Sequence, residues 1–523
     1  MFALVLCLAP LFELVRETLF ADGVRERFDF LRARVFDRLV NTIVLGVLAT
    51  AIAALVAVPL AFLLHRRRFF GRRFLGILYV LPLALPPHIH CIGWLRVFGN
   101  TGWFTLWLKE RGVAFDARAG FLEIGGEATI YPGAAFIMAM AFWPLMALLV
   151  SAGLSDLDPA HEEAALFARG GRSAARRIAL RSILPQIVAG ALLVFLAAIG
   201  CYAVPTLLNT PTIMQEIWFP SNNVDVRTAA VTASPLAALA VMVLYAVLKL
   251  VPTRGRAGSS RRAASECLVP RSRAAGVLAW SLFLFGAAVP TVHLAIKAGP
   301  PETYRGLFAT NVAENVGNSL RFATFAAVLV AVVATLVGFF LMRFRERTAR
   351  VVEAIVLLLF AVPAIIVGVA VNLFWSRFPS GGIVERWIYD GPGICALTYL
   401  ALFLPFGLRA VRASLDRVPR SLLEAASLTA NGVGTIRRRI LAPLARPGIA
   451  AAAVFGFILT MGELPAGIIV SPGRFQTAQV RVFNMIHFAR DEEVAALCLV
   501  LAALTLLPLA IYALLFNRRV EVL

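Results

Sequence analysis

Apolar residues fill this chain in runs too long for the strands or one-sided helices of a soluble core. The nearly charge-free runs are Leu39–Leu64, Phe74–Leu95, Ala128–Ser155, Ser182–Gln215, Thr228–Thr253, Ala274–Ile296, Phe322–Met342, Ala354–Ser376, Gly391–Leu408, Pro447–Gly462 and Val494–Asn517. A helix rising 1.5 Å per residue needs about 20 residues to cross about 30 Å of hydrocarbon, and nearly all of these runs qualify. They predict eleven membrane spans. Met1–Phe12, apolar as far as Glu13, is a twelfth. It has neither a basic head nor a small-residue cleavage site, so it reads as a span and not as a signal peptide.

The runs repeat. NTIVLGVLAT at Asn41 has a counterpart in NSLRFATFAA at Asn318, and the same shift of 277 residues carries LALPPHI at Leu83 onto FAVPAII at Phe360. YAVPTLL at Tyr202 then corresponds to GELPAGI at Gly462, a shift of 260. A tandem duplication with a longer external loop in its first copy produces that drift. The first half is 1–250 with its core at 41–250, the linker is 251–273, and the second half is 274–523 with its core at 318–516. Both halves begin on the same side, as parallel repeats about an axis near the membrane normal. Pro86 and Pro363 fall at matching depths, as do Pro205 and Pro465. They read as kinks lining a path between the halves, or as prolines that membrane helices tolerate when neighbours re-satisfy the freed carbonyls.

Composition agrees with many crossings: 60% of residues are hydrophobic and the mean hydropathy is +0.82. The formal charge of +20 resembles that of a nucleic-acid-binding protein, but the arginines do not converge on one patch. His65–Arg73 holds five, Asp156–Arg181 five, Val251–Arg273 six and Arg343–Arg350 four, with a further group in Arg409–Arg446. The alternate links carry few bases and matching acids. This positive-inside pattern places every Arg-rich link, and the C-terminus, in the cytoplasm. The cysteines Cys7, Cys91, Cys201, Cys267, Cys395 and Cys498 show no paired spacing and read as small buried residues.

Two polar blocks interrupt the hydrocarbon. In EAASLTANGVGTIRRRILAP, Leu422 to Ala430 reads as a short helix after Pro419, Asn431-Gly432-Val433-Gly434 as its stop, and Arg437–Arg439 as the lead into the next span. EEAALFARGGRSAARRIALRSILP repeats the plan, with Glu162, Glu163, Ala164 and Ala165 before a Gly170-Gly171 turn. Each lies between the fourth and fifth spans of its half, as a helix–turn–helix on the cytoplasmic face. A topology-anchoring loop explains the arginines; it explains two matching blocks poorly.

These blocks resemble the EAA loops of binding-protein-dependent ABC transporter permeases, the methionine-permease-like superfamily. Glu424, Ala425, Ala426, Ile440 and Pro443 stand at that family's spacing, with Gly432 and Gly434 in place of its usual glycine at Ala430. In the first copy Arg181 takes roughly the place of the family proline. The resemblance implies an all-α polytopic fold of about twelve helices, two parallel six-helix repeats of the type I importer permease kind. It implies coupling loops at 156–184 and 412–446 that seat on two copies of a cytoplasmic ATPase. Glu162 to Gly171 and Glu424 to Gly434 would make those contacts. No G-x-x-x-x-G-K-[ST] occurs here, so ATP and Mg belong to the partner, and this chain is a channel subunit with no enzymatic activity and no cofactor of its own. A periplasmic or lipoprotein binding protein would deliver the cargo at the bacterial inner membrane.

The fused form and GELPAGIIVSPGRFQTAQVRVFNMI resemble ferric-iron permeases, with Glu463, Leu464, Pro465 and Ala466 matching and Gly462, Gly467 and Ser471 departing. Ferric iron is the expected cargo; thiamine, a polyamine or another small solute are alternatives. Ionisable residues inside spans are few: Glu463 faces either a cavity or headgroups, and His88 and His90 face either a metal or neighbouring backbone. Asn209, Asn372 and Arg96 are equally open. No metal site is expected. An ion-coupled secondary transporter is the rival of another class, and it would carry acids near mid-membrane.

Overall fold

The computed structural model describes residues 2–20, 24–99, 102–112, 132–155, 180–223, 226–250, 271–308, 311–378, 382, 385–389, 391–429, 433–472, 475–486 and 489–516. Among them the architecture is helical throughout. The first half holds α1 (Phe2–Phe20), α2 (Val24–Arg66), α3 (Arg72–Leu78), α4 (Leu81–Ala84), α5 (Pro87–Phe98), α6 (Trp103–Glu110), α7 (Pro132–Ser155), α8 (Leu184–Ile199), α9 (Ala203–Leu207), α10 (Ile213–Asn223) and α11 (Val226–Leu250). The second holds α12 (Arg273–Phe283) and α13 (Val289–Lys297), joined by a π-helical turn, then α14 (Pro301–Phe308), α15 (Val312–Leu341), α16 (Glu346–Ala361) and α17 (Ala364–Trp375). It continues through α18 (Gly393–Leu415), α19 (Arg420–Thr429), α20 (Val433–Ile436), α21 (Ala442–Gly462), α22 (Pro465–Val470), α23 (Ala478–Met485) and α24 (Asp491–Phe516).

Among the described residues eight helices are long and apolar enough to cross a membrane, or ten if each of two bent pairs is one span. These answer to ten of the runs read from the sequence. The run Ser182–Gln215 differs: it breaks after the 16-residue α8, about 24 Å long, and continues as the short α9 and α10. The N-terminal run extends past Phe12 to form the 19-residue α1, because its charges are partnered. Arg377 lies 2.6 Å from Glu13 and also pairs with Glu17, and Arg16 lies 2.9 Å from Glu13.

The described residues divide into two compact units, neither of them one stretch of chain. One is drawn from Phe36–Thr212 and Ala238–Ile296, the other from Met1–Val35, Ile213–Ala237 and Lys297–Arg519. The opening helices of the halves are thus exchanged. α12, the first helix of the second half, packs on α3 in the former unit, and α1 packs on α17 and α18 in the latter. In the former, Trp94 is fully buried, stacked on Phe98 at 5.4 Å with Phe136 and Phe285 edge-on at 4.9 and 5.2 Å. In the latter, α21 crosses α15 and α18 through small residues: a Cβ added at Gly448 would sit 2.6 Å from Ala410 O. Lipid gives helices no hydrophobic reason to associate, so close backbone contact of this kind is what holds them.

Several hydroxyls inside the spans are satisfied on their own helix. Thr50 donates to Gly46 O, Thr398 to Ile394 O and Thr505 to Leu501 O, each at 2.7 Å. The duplication reaches the level of single bonds. Asn41 Nδ2 donates to Pro211 O at 3.4 Å, and its counterpart Asn318 Nδ2 donates to Gln476 O at 3.4 Å.

Candidate functional site

The second polar block, termed the elbow below, holds the short helices α19 and α20. The Leu422 N–H donates to Pro419 O at 3.1 Å, opening the first turn of α19. Ala426 is buried against the body while Glu424 and Ala425 are exposed, and Leu428 is 87% exposed. A short helix that offers a carboxylate, a small residue and a solvent-facing leucine together has the makeup of a contact surface. The root of the elbow is fixed by Arg412, 2.7 Å from Glu353 and 3.4 Å from Asp416.

Gly434 departs from its expected role. It lies inside α20 and has room for a side chain, so the chain is already helical from Val433. Pro443 is the second residue of α21, directly after the π-helical turn Arg437–Leu441. The helical path from Gly434 to Gly462 is a candidate span of 29 residues, about 43 Å of rod between the elbow and the next break. Gly432, and the whole first block with Glu162, Glu163, Ala164, Ala165, Gly170 and Gly171, lie outside the described residues.

At the far end of that rod the chain breaks at Glu463-Leu464 and restarts at Pro465. The half-buried Glu463 carboxylate accepts from the Ala466 N–H at 2.8 Å, capping α22. In the first half the break falls at Cys201-Tyr202, and Pro205 lies inside α9, where its carbonyl accepts from the Thr210 N–H at 2.8 Å. Asn209, at φ 52°, closes that turn in the left-handed conformation asparagine tolerates.

Pro86 and Pro363 stand at sharper breaks. Arg72–Leu83 meets Pro87–Glu110 at 99°, and Arg347–Ala361 meets Ala364–Trp375 at 100°. The residues before the prolines, Leu85 and Val362, are extended with ψ of 122° and 123°, as proline's ring demands of its predecessor. His88 and His90 follow the first break and are both buried. Two residues apart on α5, they project about 200° apart around the helix, which does not suit one metal. A His90 ring nitrogen instead lies 3.1 Å from Pro82 O, a carbonyl that Pro86 has no N–H to serve and that Leu85 N–H reaches at 3.2 Å. Asn372 accepts from Tyr389 Oη at 3.2 Å. Among the described residues no group of three or more His, Cys, Asp or Glu is placed to hold a metal ion.

The asparagine pair and the Glu17–Arg377 pair escaped the sequence reading. The first had a signal, since Asn41 and Asn318 head the two matched segments. The second had none, with its members 360 residues apart in the chain.

The family described as "Binding-protein-dependent transport system inner membrane component" matches residues 32–261 and 327–522. The chain belongs to that family and is an ABC-type permease subunit of the inner membrane, with the domain present twice. It is 24% identical over 506 residues to the Fe(3+)-transport system permease protein FbpB 2 of Haemophilus influenzae, covering 94% of this chain and 92% of that protein. It is 23% identical over 466 residues to the ferric transport system permease protein FbpB of Actinobacillus pleuropneumoniae, covering 84% of this chain and 65% of that protein. A molybdenum transport system permease protein, ModB of Azotobacter vinelandii, is 28% identical over 179 residues, covering 32% of this chain and 78% of that protein.

Proposed function

We propose that this chain is the translocation subunit of an importer for ferric iron, driven by two copies of a separate ATPase that supplies ATP and Mg chemistry. A loaded extracytoplasmic binding protein docks on the external links. ATP-driven closure of the ATPase pair pushes on the elbow at Glu424 to Gly434 and on its counterpart at Glu162 to Gly171. The C-terminus lies in the cytoplasm with both elbows. The exposed face of α19, joined by one rod to the break at Glu463-Pro465, is the observation that carries this reading. A displacement at Glu424 is delivered along that helix to the break, and Pro86, Pro205 and Pro363 mark the corresponding breaks proposed for the path. Alternating access then follows from the differential affinity of ATP and cargo for two states.

Length and ferric-type relatives support iron, while the shorter ModB match keeps other small solutes in the comparison. Uptake into proteoliposomes holding this chain and its ATPase tests the cargo. With binding proteins loaded in turn with ferric ion, molybdate, thiamine and spermidine, ATP-dependent accumulation is expected for ferric ion. Accumulation of another load and not iron reassigns the cargo; uptake driven by an ion gradient without ATP defeats the mechanism.

A further inference from the structure

A cavity of about 1560 Å³ opens where α2 ends, in the unit drawn from Phe36–Thr212 and Ala238–Ile296. Its walls are tied together. The Ser272 N–H donates to Arg68 O at 3.0 Å, and Ser272 Oγ caps α12 by accepting from the Ala275 N–H at 3.2 Å. Trp280 Nε1 donates to Phe70 O at 3.1 Å, and Arg72 Nε to Leu64 O at 2.5 Å. Gly71, at φ 75°, turns the link beneath the Trp280 indole, where a Cβ would come within 2.8 Å of the ring.

The lining has two characters. Arg68, Arg72, Arg73, Arg271 and Arg273 line it, and among the described residues no carboxylate does. Arg73, Arg271 and Arg273 form no ion pair among the described residues. Tyr79 and Ser151 also line it, and both are buried. The other wall is apolar and open, with Phe70 97% exposed and Phe74, Val277 and Leu284 exposed beside it. Arg73, Arg271 and Arg273, close together and without an ion pair, repel one another and call for an anion, and their planar forks suit phosphate oxygens. Exposed aromatic and aliphatic side chains at the same mouth call for hydrocarbon.

We propose that this cavity seats the phosphodiester headgroup of an anionic phospholipid, with its acyl chains running along Phe70, Phe74, Val277 and Leu284. Both Arg-bearing walls belong to links that the charge pattern places at the cytoplasmic leaflet, where basic pockets between spans select anionic headgroups. The site is independent of the cargo.

Native mass spectrometry of the full chain in detergent tests it, with phosphatidylglycerol and phosphatidylcholine of equal chain length as probes. Phosphatidylglycerol should bind about tenfold more tightly, and the Arg73→Gln/Arg271→Gln/Arg273→Gln variant should bring the two lipids within about twofold. Arg345→Gln/Arg347→Gln, on a basic link outside the cavity, should keep the preference. Should the triple variant not fold, Arg273→Gln alone should lose about threefold. Equal retention of the two lipids, or an undiminished preference in the cavity variants, overturns the proposal. Displacement of the lipid by millimolar inorganic phosphate also overturns it, in favour of a soluble phosphate ligand.

Discussion

The breaks at Pro86 and Pro363 bend the chain by 99° and 100°, yet their surroundings differ. In the first half the residues after the break include His90, whose ring meets the Pro82 carbonyl. In the second, the residue 277 positions on is Val367, and the tight contact is instead between Gly368 and α22, with a Cβ at Gly368 only 3.3 Å from Ala466 Cα. The proline and its extended predecessor set the angle; the side chains around it decide how each half is stabilised there. Duplicated halves can therefore keep one geometry while their stabilising contacts diverge.

That contrast can be broken by substitution, read as thermal unfolding in detergent. Gly368→Leu drives an isobutyl group into α22 and should cost about 3 kcal/mol. Cys91→Ala, at the matching and fully buried position in the first half, should cost about 1 kcal/mol. His90→Leu removes one of the two bonds to the Pro82 carbonyl, leaving the one from Leu85 N–H at 3.2 Å, and should cost about 1 kcal/mol, with His90→Gln recovering about half by restoring a donor. If His90→Leu is neutral, the break does not depend on that bond. Asn41→Ala and Asn318→Ala remove equivalent bonds and should each cost about 1 kcal/mol. A disparity beyond about 1 kcal/mol would show that the halves diverge even there. Glu463→Gln is the mildest change, because the amide oxygen can still accept from Ala466 N–H; it should cost under about 0.5 kcal/mol, against about 1 kcal/mol for Glu463→Ala.

Much of the fold was legible because hydrocarbon imposes one long, simple pattern on every span. Pro86 and Pro363 betrayed the repeat, and the Glu424 block betrayed the elbow, since a polar helix is conspicuous beside apolar neighbours. The exchange of α1 and α12 between units was not legible. A lipid-facing stripe and a stripe facing another half have the same composition, so nothing in Arg273–Phe283 names its neighbour. The Glu17–Arg377 pair was hidden for a related reason: charges near a span end read as its limit until the partner is seen. Gly434 misled because a glycine that permits a turn does not compel one.

The central claim is that Glu424 and its helix receive a push from a separate nucleotide-driven partner. ATP turnover of the ATPase subunit, co-reconstituted with this chain and a loaded binding protein, tests that most directly. Wild-type chain should stimulate turnover, and Glu424→Arg should remove at least about tenfold of that stimulation while leaving the unfolding temperature of the spans unchanged. Undiminished stimulation by a folded Glu424→Arg chain would contradict it.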